Sequence, residues 1–61
     1  MYKIWFVSFE YYQDKEFDSL EHAIEGARQA GFESVILEHC DAEIVYHGQF
    51  SPLNGYTSRR L

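Results

Sequence analysis

The residues of this chain best suited to chemistry are three histidines, His22, His39 and His47, and one cysteine, Cys40. A thiol beside an imidazole could make a nucleophile and its base, and Cys/His sets bind zinc. His39 and Cys40 are sequence neighbours, so on a strand they point to opposite faces and cannot share a site. Cys40 and His47 could share a face, but no spacing resembles the four-ligand pattern of a structural zinc centre. His22 reads as a solvated helix residue. Gly26, Gly31, Gly48 and Gly55 are isolated, so no phosphate or dinucleotide loop is formed. Neither metal, cofactor nor enzymatic activity is expected.

The carboxylates are the informative set. Ten Asp and Glu oppose five Lys and Arg, for a net charge of −5. All ten lie between Glu10 and Glu43, where only Lys15 and Arg28 oppose them; Lys3, Arg59 and Arg60 sit at the ends. Such an acidic middle argues against direct binding to nucleic acid, which needs cations to neutralise phosphates, and against anionic membranes. Glu10, Asp14, Glu16 and Asp18 fall in one predicted loop, beside Tyr11, Tyr12 and Phe17, and Glu21 and Glu25 in a following helix. Carboxylates interleaved with aromatic rings suit a basic groove built for phosphates and bases. The bland alternative is a surface that only confers solubility.

The elements that must hold these groups follow from patterning. Residues 2–10 predict a strand with Tyr2, Ile4 and Phe6 on one face and Trp5, Val7 and Phe9 on the other. Residues 11–16 predict a polar loop or hairpin tip, with a short strand near Glu16–Phe17. Leu20, Ala23, Ile24 and Ala27 recur at the spacing of one buried helical face. Asp18 or Ser19 caps its start, Asp18 with Glu21 having capping-box spacing, and Gly31 suits a left-handed stop with Phe32 packing back. Residues 33–39 and 43–50 predict a hairpin turning at Asp41–Ala42, Leu37 facing Tyr46 and Ile36 facing His47. Alternation then assigns Val35, Leu37, Ile44 and Tyr46 to the core and Ile36, Glu38, Cys40, Glu43, Val45 and His47 to the other face. Ala42 suits a positive-φ turn position poorly, so a four-residue type I loop is an equal alternative and would alter that register. Residues 51–61, with Pro52 and Asn54–Gly55, make either an extra hairpin arm or a mobile tail.

Length limits the chain to a single small domain, residues 1–61, with a small core. Eleven aromatic residues supply that core. The expected fold is α+β, a three- or four-stranded antiparallel sheet with one helix packed on one face. No apolar run reaches the roughly 20 residues of a membrane helix, and Met1–Val7 reads as strand rather than secretory signal. A lone cysteine fits a reducing cytoplasmic setting.

The stretch Phe17-Asp-Ser-Leu-Glu-His-Ala-Ile-Glu-Gly-Ala-Arg-Gln-Ala-Gly-Phe32, followed by Val35-Ile-Leu and Glu43-Ile-Val-Tyr46, resembles the capped helix and hairpin of many small phage and bacterial proteins. In size, acidity and lack of a catalytic motif the chain also resembles phage anti-defence proteins, including anti-CRISPR inhibitors, several of which imitate nucleic acid. The resemblance implies a non-enzymatic inhibitor of a defence complex, CRISPR or restriction. The expected partner is a protein with a basic surface, and the expected carriers are Glu10, Asp14, Glu16, Asp18, Glu21 and Glu25. The alternative is a structural or regulatory adaptor, or a homodimer, docking through the sheet face that a single helix leaves open.

Overall fold

A computed structural model describes residues 1–59. Five strands and one helix follow the order β1 (Tyr2–Phe6), β2 (Tyr11–Tyr12), α1 (Leu20–Ala30), β3 (Ser34–Cys40), β4 (Glu43–Ser51) and β5 (Gly55–Ser58). The strands form one antiparallel sheet ordered β2-β1-β3-β4-β5, with α1 across β1, β3 and β4 on one face. The fold is α+β as expected, with five strands rather than three or four.

The additional strands come from the segments flanking the predicted centre. The first strand stops at Phe6 rather than residue 10, because residues 7–10 form a turn in which Glu10 takes a left-handed backbone (φ 51°). Val7 and Phe9 are good strand formers, so propensity alone carries the pattern too far. The predicted polar loop is instead an edge segment running back along β1. Tyr11 pairs with Phe6 and Tyr12 with Trp5, and the Gln13 N–H donates to the Ile4 carbonyl at 2.8 Å. Phe17 then meets Tyr2 in an isolated bridge, with reciprocal N–H to carbonyl bonds of 2.8 and 2.9 Å. At the other end, residues 51–58 adopt the hairpin arm, turning into β5 at Gly55 (φ 77°). Arg60 and Leu61, the last of the predicted tail, lie outside the described residues.

Helix α1 is set by its ends and its apolar stripe. The Ser19 hydroxyl, not Asp18, caps it by accepting from the His22 N–H at 3.2 Å. Asp18 Oδ1 instead accepts from the His22 ring Nδ1–H, so the Asp18–Glu21 capping box does not form. Gly31 closes the helix in the left-handed conformation (φ 77°), its N–H on the Ala27 carbonyl. Ala23 and Ala27 are fully buried, and Leu20 and Ile24 pack beside them.

The core face of the hairpin is the reverse of the expected one. Ile4, Phe6, Phe17, Ile36 and Phe50 lie under the helix with Ser34, whereas Val35, Leu37, Ile44 and Tyr46 are on the open side. Residues 35–37 are apolar at every position, so alternation within β3 cannot choose a face; its pairing to β1 does, setting Ile36 directly opposite Ile4. The two-residue turn is present, because the left-handed φ falls on Asp41 (52°) and not on Ala42. Register therefore holds from Cys40↔Glu43 to Leu37↔Tyr46. Between Leu37 and Ile36 a bulge absorbs His47, and Ile36 pairs with Gly48 instead of His47.

Candidate functional site

The six carboxylates expected to carry binding separate into three places. Glu16, Asp18 and Glu25 line one open groove, between the 15–18 segment and the outer flank of α1, which also takes in His22. Its floor is Phe17, held there by the bridge to Tyr2 and packed closely against Gly26. A Cβ on Gly26 would lie 2.6 Å from the Phe17 ring, so the absent side chain at residue 26 is what lets the ring sit under the helix. Lys15 extends over the other part of that ring, its Nζ 5.3 Å from the centroid.

Two groove carboxylates already have local partners. Asp18 Oδ1 lies 2.9 Å from His22 Nδ1, and that hydrogen bond, reinforced by the imidazole's charge, lowers the Asp18 pKa from its ordinary value. Glu25 pairs with Arg28 one turn on and accepts from Gln29 Nε2 at 3.2 Å. Both pairs are solvent-exposed, a setting in which such contacts are weak and exchange readily for a better cation. Glu16 makes no ion pair or side-chain hydrogen bond among the described residues.

Glu10 and Asp14 border a different feature, at the end of the molecule where β1 turns into β2. The Tyr11 hydroxyl donates to Asp14 Oδ1 at 3.1 Å, and that bonded carboxylate raises the Tyr11 pKa. Glu10 flanks Phe9, whose ring packs edge-on against Phe32 and Phe6, with centroids 5.1 and 6.4 Å away. Phe32 does pack back as predicted, 6.1 Å from Phe6, yet it remains half-exposed. Glu21 stands in the first helical turn, where the helix dipole favours a negative charge, and lines neither feature.

The two faces of the sheet differ in charge. Pairing places Lys3, Trp5, Tyr12, Leu37, His39 and Tyr46 on the open side, and no strand residue there is acidic. Glu38 and Glu43, the two acids within strands, both share the helix side. Lys3 Nζ lies 5.2 Å from the Tyr12 ring and the Arg59 guanidinium 5.0 Å from the Tyr46 ring. Trp5 and Tyr12 meet edge to face at 4.7 Å. The molecule thus has an acidic helix side and loops, and a cationic, aromatic open face. Alternation could have shown the cationic face had the hairpin face been assigned correctly. Phe9 and Phe32 carried no separate signal, because both read as ordinary apolar residues of predicted elements.

Cys40 and His47 do fall on one side of the sheet, but His47 is bonded to Glu38 rather than to the thiol. Glu38 Oε1 lies 2.9 Å from His47 Nε2, and this bond lowers the Glu38 pKa. Desolvation, and then the nearby Glu38 carboxylate, push the Cys40 thiol pKa up, away from the thiolate a nucleophile needs. Among the described residues no group of three or more His, Cys, Asp and Glu is placed to hold a metal ion, and no helix is long and apolar enough to cross a membrane.

No protein family, curated protein or solved structure matches this chain.

Proposed function

We propose that this chain is a non-enzymatic interaction module that docks its acidic helix side on a basic protein surface. The observation that carries the proposal is the segregation of charge between the two sides of the sheet. Carboxylates distributed only for solubility would have no reason to avoid the open face, yet every strand acid stands on the helix side. Glu16, Asp18 and Glu25 around an aromatic floor suit the long side chains of Arg or Lys, whose stems take apolar contact and whose heads take carboxylates. The surfaces richest in such groups are those that hold nucleic acid. Together with the resemblance to phage anti-defence proteins, this makes a CRISPR or restriction effector the partner class to test. Such a module works in a reducing cytoplasm, to which a lone cysteine is suited.

The test is affinity capture against purified effectors of these classes, comparing the native chain with Glu16→Lys and Glu25→Lys. We expect at least a tenfold loss on reversal; equal affinity would remove the groove from the interface. A second reading, homodimerisation through the open sheet face, is favoured by the 59 % exposed Ile44 beside the partly buried Trp5 and Leu37. Light scattering across micromolar concentrations distinguishes it: a dimer doubles the mass, whereas a mass near 7.2 kDa throughout rejects it.

A further inference from the structure

Large aromatic side chains rarely stand half in water unless something covers them. Here two phenylalanines do so side by side. Phe9 is 58 % and Phe32 50 % exposed, and their rings pack edge to face on each other and on Phe6, the buried member of the trio. Tyr11, also half-exposed, pairs with Phe6 across the strands and so stands on the same face. With roughly 200 Å² per ring, the three together expose on the order of 300 Å², the size at which an apolar patch on a small protein is commonly an interface. The patch is braced rather than loose. The Val7 N–H donates to the Glu33 carbonyl at 3.2 Å, tying the β1–β2 turn to the segment after the helix.

Its surroundings are negative. Glu10 follows Phe9 and Glu33 follows Phe32 in the chain, and Asp14 holds the Tyr11 hydroxyl. Glu10 and Glu33 are exposed and make no ion pair among the described residues. Glu10 also occupies a left-handed position that Asn or Gly would fill more easily, so the turn gains no backbone advantage from a glutamate there. An apolar centre with carboxylates beside it repels an acidic occupant and complements an apolar side chain flanked by cations.

We infer that the Phe9–Phe32 patch is a docking site for a protein segment in which a leucine- or phenylalanine-like residue is flanked by lysine or arginine. The aromatic rings would cover the apolar residue, and Glu10 and Glu33 would take the flanking cations. The inference shares with the proposed function only the sign of the partner's charge. It concerns a different surface from the groove of Glu16, Asp18 and Glu25, and the two can fail separately.

The experiment is amide NMR of the isotopically labelled full chain, titrated with a short synthetic peptide that has lysines around a central leucine. Two control peptides replace the lysines with glutamates or the leucine with serine. We expect shifts at Phe9, Glu10, Phe32 and Glu33, at least tenfold weaker binding of both controls, and a similar loss in Phe32→Ser. Glu10→Asn, which keeps a residue suited to the left-handed turn, separates loss of charge from loss of fold and is expected to weaken the lysine peptide alone. Shifts confined to Asp18, His22 and Glu25, shifts on the open sheet face, or no shift at millimolar peptide would each overturn the inference. So would patch shifts that appear with protein concentration alone, since those report self-association.

Discussion

At the scale of single residues, the Cys40, Glu38 and His47 group shows how a constellation with catalytic residue types can lack catalytic poise. A nucleophilic cysteine needs a partner that favours the thiolate; here desolvation and the negative charge of nearby Glu38 disfavour it, and His47 is engaged by that same carboxylate. Cys40 should therefore react with iodoacetamide at neutral pH more slowly than a free thiol, and Glu38→Gln should accelerate it. Equal rates in the two proteins would contradict this arrangement. The carboxylates also define an acid limb of stability. Glu38, through His47, and Asp18, through His22, are held below their ordinary values in the folded chain. Each contributes stability that is present above the unfolded value and is lost as pH falls through the folded one. Denaturation midpoints should fall on acidification below about pH 4, less steeply in Asp18→Asn/Glu38→Gln. An unchanged slope in that double variant would assign the acid limb to other groups.

At the scale of elements, the face assignment of β3 decides which apolar residues stabilise the fold. Ile36 is fully buried opposite Ile4, so Ile36→Ala should cost about 2–5 kcal/mol. Leu37, on the open side, should cost less than half as much, and urea melts of the two variants make the comparison. The reverse order would restore the face predicted from alternation. Gly48 gives a second test. A Cβ there would stand 2.5 Å from the Thr57 carbonyl oxygen and 2.6 Å from the Tyr56 hydroxyl. Gly48→Ala should force β4 and β5 apart at a cost of about 1–3 kcal/mol.

Much of this element structure was legible in advance. The helix, its Gly31 stop and the hairpin follow from local signals, an i, i+3, i+4 stripe, a glycine at the stop and a short Asp-containing connection, whereas the choice between a two- and a four-residue turn was open in the sequence. What was not legible depends on partners distant in sequence. The end of β1 at Phe6 is set by β2 and by Phe9 turning back on Phe32; the inverted hairpin face is set by Ile4; the bulge at His47 follows from Gly48 and Phe50 reaching the core. For the candidate site, the acids were identifiable one by one, but their division between groove, aromatic end and outer helix required the path of residues 11–17 along β1.

At the scale of the whole molecule, the two-sided charge distribution is the property from which function is argued. An acidic helix side, a cationic sheet face and an aromatic end are three chemically distinct surfaces on a body of about 32 × 28 × 20 Å. Contacts made by the carboxylates of the helix side should be steered by charge and weaken with salt, whereas purely apolar contacts, such as those of Leu37 and Ile44, should respond little. The most direct measurement is the affinity of the native chain for a captured effector between about 0.1 M and 1 M salt, over which the screening length falls from about 10 Å to about 3 Å. Docking through the acidic side predicts a steep, at least tenfold loss of affinity across that range, and a flatter dependence in Glu16→Lys/Glu25→Lys. An affinity that holds constant with salt in both proteins would contradict it.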